Sequence, residues 1–152
     1  MPDQTEVMFY HLERQTLEDV LPVLLEKTLA RGWKAVVEVP DRERLEALDR
    51  HLWTFRDDSF LPHASERDDP GTRQPIWMTC GQTNPNGAEI RFLAHQADPH
   101  DVETYRRVVL MFSADDAESV RHARAQWKPL KAAGHACTYW QQTGAGGWEQ
   151  KG

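Results

Sequence analysis

Two cysteines, Cys80 and Cys137, are all the sequence has, and neither sits in a metal-ligand spacing. A disulfide framework is thereby excluded, and reduced thiols in a cytosolic protein are the expectation. Basic residues are outnumbered: 18 Lys and Arg against 24 Asp and Glu give a net charge of -6. A chain that binds DNA non-specifically gains affinity by displacing counterions from phosphates, which asks for the opposite sign. Any contact with DNA is therefore expected to be indirect. No apolar run reaches the roughly 18 residues of a membrane span, and the N-terminus lacks a basic-then-apolar signal. The expected compartment is the cytoplasm, with no membrane partner. Internal repeats and low-complexity stretches are missing too.

Catalytic signatures are equally scarce. No G-x-x-x-x-G-K-[ST] follows a strand and no G-x-G-x-x-G opens a helix. Gly144-Ala145-Gly146-Gly147 is glycine-rich but precedes no helix. The seven histidines, at positions 11, 51, 63, 95, 100, 122 and 135, form no H-x-x-x-H pair. Zinc sites announce themselves by ligand spacing, so surface histidines are the better reading. No G-x-S-x-G elbow occurs. Asp57-Asp58 and Asp115-Asp116 are paired carboxylates. The second pair is explained by a helix's first turn, where negative charge offsets the dipole. No catalytic residue, cofactor or metal is expected. A small nucleotide- or substrate-binding α/β enzyme is the alternative, and a direct DNA-binding module a weaker one.

What is present is a chain of 152 residues, 39% hydrophobic, enough for one domain. Val7, Phe9 and Tyr10 mark a strand over Glu6 to Leu12. Thr16 with Asp19 is a capping-box start for a helix carrying Leu17, Val20, Leu21, Leu24, Leu25 and Leu29, stopped by Gly32. Ala35 to Val39 reads as a strand buried on both faces. Asp41 caps a second helix through Leu45, Leu48 and Leu52 to Trp53. This β-α-β-α order predicts a three-layer α/β/α fold with a mostly parallel central sheet, Rossmann-like without a nucleotide motif. Residues 54–75 lack periodicity. Strands follow at Ile76–Cys80 and Ala88–Ala94, separated by turn chemistry at Asn84–Gly87. Arg107–Phe112 reads as a buried strand, with a helix over Val102–Phe112 as the alternative. Ser113 to Asp116 opens a last helix, running to Ala133 with Pro129 inside it and Gly134 as its stop. A final strand holds Thr138, Tyr139 and Trp140. The domain is expected to span residues 1–142, with 143–152 a flexible Gly-rich tail.

Two surfaces stand out. On the last helix Arg121, Arg124, Lys128 and Lys131 share one stripe, beside Val120, Ala123, Trp127 and Leu130. These are either a core face with a solvated charged face, or a basic rim beside an apolar pocket. The second reading suits a peptide bearing carboxylates and a hydrophobic end. Between Trp53 and His63, the large groups Trp53, Phe55, Phe60 and Leu61 either fold back as core or present a patch to a partner.

The same residues carry a resemblance. F-Y-H-L at Phe9–Leu12, A-R-G-W at Ala30–Trp33 and L-W-T-F-R-D-D-S-F-L-P-H at Leu52–His63 are joined by Q-P-I at Gln74–Ile76 and N-P-N-G-A at Asn84–Ala88. A-R-A-Q-W-K at Ala123–Lys128, A-A-G-H at Ala132–His135 and Y-W at Tyr139–Trp140 complete the set. Together they resemble the chi subunit of bacterial DNA polymerase III over nearly the whole chain. The resemblance implies a clamp-loader accessory subunit without catalysis of its own, working at replication forks near the nucleoid. It implies two partners, the psi subunit and the acidic, Phe-ending C-terminal tail of single-stranded DNA-binding protein. It assigns the psi-facing surface to Trp53, Phe60, Leu61, Pro62 and His63, a surface a helicase could share. It assigns the tail pocket to Arg124, Trp127 and Lys128. Where some members of the family carry another basic residue, one turn before the Arg, this chain has Val120, with Arg121 beside it as a substitute.

Overall fold

Alternating apolar residues on β1 (Glu6–Leu12) decide the architecture, because the strand is covered on both faces. Val7 and Phe9 point to one side and Met8, Tyr10 and Leu12 to the other. The computed structural model describes residues 5–13, 16–54, 63–65, 75–81, 87–143 and 147–151.

An eight-stranded sheet runs in the order β3-β4-β2-β5-β6-β1-β7-β8. Its strands are β2 (Ala35–Glu38), β3 (His63–Ser65), β4 (Ile76–Thr79), β5 (Ile90–Leu93), β6 (Arg107–Ser113), β7 (Ala136–Gln142) and β8 (Trp148–Gln150). Every pairing is parallel except β7 with β8. Helices α1 (Leu17–Ala30) and α2 (Arg42–Thr54) cover one face, and α3 (Ala117–Ala132) covers the other over β6, β1 and β7. This is the expected three-layer arrangement.

Local chemistry sets the boundaries. Thr16 and Asp19 form the predicted reciprocal capping box of α1. At its C-terminal end Gly32 takes φ +80°, and the amides of Gly32 and Trp33 return to the carbonyls of Leu29 and Thr28 at 2.9 and 3.2 Å. The same motif ends α3: Gly134 at φ +93° and His135 bond back to Lys131 and Leu130. Asp116, rather than Ser113, is the N-cap of α3, accepting from the amides of Glu118 and Ser119. Ser113 is spent as the last residue of β6.

Two expectations are corrected. The helical alternative over Val102–Phe112 fails: only Val102–Thr104 makes a single 3-10 turn, and Arg107–Ser113 is a strand between β5 and β1. Its apolar run reflects burial on both faces, which erases the alternation that would have separated strand from helix. The flexible tail expected over 143–152 is, at Trp148–Gln150, a strand on the sheet edge, held by Trp148 stacked on Tyr10 with ring centroids 4.8 Å apart. Composition recorded the glycines but not the ring that binds the segment back.

The core lies on both faces, with Leu21, Leu25, Leu45 and Phe92 buried under α1 and α2, and Val7, Phe9, Leu110 and Ala123 under α3. Each such side chain contributes about 1.5–3 kcal/mol when fully buried. Beyond the reach of α3, Arg91 is buried at 1% exposure. Its guanidinium donates to Glu38, to the Tyr105 hydroxyl and to the Gly81 carbonyl, and Glu38 also meets His100 at 2.7 Å. A buried charge so fully partnered is structural, since removing either member strands the other.

Candidate binding pocket on the third helix

Ala123 and Leu130 anchor α3 on the sheet, at 2% and 8% exposure. Because Arg124, Trp127 and Lys128 follow Ala123 by one, four and five positions, they come round the same side of the helix as a flank of that buried stripe. They meet Phe9 of β1 and Tyr139 of β7, direct partners in the β1–β7 register. Lys151, just past β8, closes the far side. The result is a pocket of about 480 Å³.

Its floor and walls are aromatic. Trp127 meets Phe9 edge-on at 5.2 Å and 62°, and Tyr139 at 6.3 Å and 72°. The Lys131 ammonium lies 5.3 Å from the Trp127 ring centroid, a cation–π contact that steadies the indole. Tyr139 shares a hydrogen bond of 2.8 Å with Nδ1 of His11. Burial pushes the Tyr139 phenol up from its ordinary value, and the Arg124 guanidinium pulls against it. Burial also lowers His11, with Glu13 opposing and Arg124 reinforcing the shift.

Among the described residues, the lining carries Arg124, Lys128 and Lys151, and no carboxylate. Three cations thus stand around an apolar, largely aromatic floor.

Sequence reasoning named three of these residues, Arg124, Trp127 and Lys128, and the fold brings all three together. Arg121 is not with them. It is 74% exposed and pairs with Glu118 at 3.5 Å along the outer face of the helix. Being next to Val120 in sequence turns it about 100° away from that position. Phe9, Tyr139 and Lys151 were missed as pocket residues. The signal for the first two was available in the alternation of β1 and β7, which sends both toward α3; Lys151 had none. Of the proposed psi-facing set, His63 opens β3 and Trp53 lies in α2. The side chains of both, and residues 60–62 with Phe60, Leu61 and Pro62, lie outside the described residues. Among the described residues, no group of three His, Cys, Asp or Glu could hold a metal ion, and no helix is long and apolar enough to cross a membrane.

A family model described as DNA polymerase III chi subunit, HolC, matches residues 4–138. The chain belongs to the DNA polymerase III chi subunit family. Among chi relatives, a probable DNA polymerase III subunit chi of Rickettsia prowazekii is 27% identical over 103 residues, covering 68% of this chain and 62% of that protein. The chain thus spans less than two thirds of that relative's length. The DNA polymerase III subunit chi of Pseudomonas aeruginosa is 25% identical over 114 residues, covering 71% of this chain and 79% of that protein. The chi match includes β1 and all of α3, hence Phe9, Arg124, Trp127 and Lys128. Tyr139 and Lys151 lie beyond it.

Proposed function

We propose that this chi-family chain is a non-catalytic accessory subunit in DNA replication, bridging the clamp loader to single-stranded DNA-binding protein. The pocket on α3 takes the acidic, Phe-ending C-terminal tail of that protein. The Phe ring lies against Phe9 and Trp127, and the carboxylates meet Arg124, Lys128 and Lys151. Psi docks on the segment from Trp53 to His63 and ties the chain to the clamp loader. The observation that supports the reading is the pocket lining: among the described residues, cations without a carboxylate, around an apolar floor, in a chain of net charge -6. Rim charges steer the encounter and are screened over about 8–10 Å at ordinary salt, while the ring supplies the salt-insensitive part.

Titration calorimetry with a tail peptide tests it. Arg124→Ala loses a charge-assisted contact of about 1.5–3 kcal/mol, so affinity falls at least about tenfold with circular dichroism unchanged. A peptide without its terminal Phe binds far more weakly. An unchanged dissociation constant in either case overturns the assignment. In the same series Phe60→Ala removes psi binding, a hot-spot loss of about 2 kcal/mol or more, and leaves tail binding intact. A large fall in melting temperature for that variant would instead make Phe60 core.

A further inference from the structure

On the opposite face of the sheet, β1 lines a second depression, of about 380 Å³, that the α3 pocket does not explain. We propose that it is a second binding site, and that it takes a short stretch of single-stranded nucleic acid, with bases against its rings and phosphates against its guanidinium and ammonium groups.

Besides Phe92 of the buried floor, four half-buried aromatic side chains line this groove: Tyr10, Trp33, Trp140 and Trp148. They come from β1, the turn after α1, β7 and β8. Trp33 is delivered by the helix-ending motif at Gly32, since it is the residue whose amide closes that turn. Tyr10 and Trp148 stack at 24° with centroids 4.8 Å apart, so each ring covers one face of the other. The groove also holds Lys27, Arg31 and Arg107. The guanidinium carbons of Arg31 and Arg107 lie 5.2 and 5.3 Å from the Trp33 ring centroid. Both charges also act on the Tyr10 hydroxyl, opposing the rise that burial gives it.

The lining has one carboxylate, Glu6, and it is held by Arg107 at 2.9 Å. Lys27 and Arg31 are exposed, one helical turn apart at the end of α1. Cations are favoured there by the helix dipole alone, which accounts for their presence but not for four rings beside them. Rings together with guanidinium planes form a stacking platform. Every nucleobase has a face to offer it, and the phosphates follow the cations. An acidic peptide would satisfy the charges and leave most of the ring surface unused. The family belongs to a DNA polymerase, so the strand is at hand. With Arg107 already holding Glu6, and a net charge of -6 on the chain, the contact is confined to this groove and to about two phosphates.

Fluorescence anisotropy of a labelled short oligothymidylate with the full chain tests the proposal. Binding is expected at low salt, with log affinity falling against log salt with a slope of about -1.4, as for two phosphates on a single strand. The double variant Lys27→Ala/Arg31→Ala, on exposed positions, weakens it about tenfold or more, and Trp148→Ala about fivefold or more. Arg124→Ala leaves it unchanged, which separates this site from the α3 pocket. No binding at low salt overturns the proposal. So does loss through Arg124→Ala but not through Lys27→Ala/Arg31→Ala. Displacement by polyglutamate as effective as by unlabelled oligonucleotide would show an acidic-peptide groove and overturn it as well.

Discussion

The pocket under α3 and the groove beside α1 lie back to back on the same three strands. On β1, Phe9 enters the pocket while Met8 and Tyr10 enter the groove. On β7, Tyr139 goes one way and Trp140 the other. At β8, Trp148 serves the groove and Lys151, just beyond, the pocket. The two concavities nevertheless differ in construction. The pocket is floored by core, with Phe9 at 1% and Ala123 at 2% exposure, and takes two of its three cations from one helix. The groove also has a core floor, in Ile90, Phe92 and Val109, but its half-buried Tyr10 and Trp148 stack on each other, whereas Trp127 of the pocket packs on the core ring of Phe9. The groove's charges come from α1, its terminal turn and β6. Building a site on core residues ties its shape to global stability; building it from half-buried rings leaves each part separable.

That difference predicts the largest effect. Phe9→Ala opens a cavity under Trp127 and is expected to cost about 3–5 kcal/mol of stability, read by chemical denaturation. None of the groove's four half-buried rings approaches this. A loss below about 1 kcal/mol would mean that the pocket floor is not core, and the contrast would collapse.

Legibility in the sequence follows the same division. The α3 stripe could be read because helical spacing converts sequence separation directly into a face: Ala123, Arg124, Trp127 and Lys128 are local to one another. The capping box at Thr16 and the stop at Gly32 were readable for the same reason, since each is a contact within one turn. The groove was unreadable because Tyr10, Arg107 and Trp148 meet only after β6 and β7 have flanked β1, and nothing local encodes that order. The strand at Arg107–Ser113 was ambiguous because its burial on both faces removes the period-two signal. The edge strand at Trp148 was hidden by the glycines before it, since its pairing with β7 and its stack on Tyr10 are not encoded by composition.

A middle-sized effect tests whether the two concavities are coupled through β8. Trp148→Ala removes the stack on Tyr10, and aromatic pairs contribute about 0.5–1.5 kcal/mol beyond burial. The strand that carries Trp148 also positions Lys151, whose amide donates to the Tyr139 carbonyl at 2.7 Å. Loosening β8 should therefore weaken binding of an anionic, Phe-ending peptide in the pocket on the other face. A double-mutant cycle with Lys151→Ala separates the routes. If Trp148 acts through Lys151, the double variant binds no more weakly than Lys151→Ala alone. Full additivity would show that Trp148 acts on the pocket by another route, and no effect of Trp148→Ala alone would show that the faces are independent.

The smallest effect is a titration, and it distinguishes the faces without a ligand. His11 shares a hydrogen bond with Tyr139 behind the pocket, and burial holds its pKa below the ordinary 6.5. Glu13 works against that shift and Arg124 adds to it. A histidine lowered in the folded state binds fewer protons there than in the unfolded chain. Its contribution to stability is thus present above pH 6.5 and lost as pH falls through the lowered folded value. Followed by nuclear magnetic resonance, His11 should titrate below its ordinary value in the intact chain. Arg124→Ala should move the midpoint upward without restoring the ordinary value, because burial, the larger cause, remains. Lys27→Ala/Arg31→Ala should leave it where it was, since those cations face the other side of the sheet. A midpoint at or above 6.5 in the intact chain would show that His11 is not held neutral by its surroundings. Equal movement in both variants would show that the sheet does not screen one face from the other, and the separation of the two sites would fail with it.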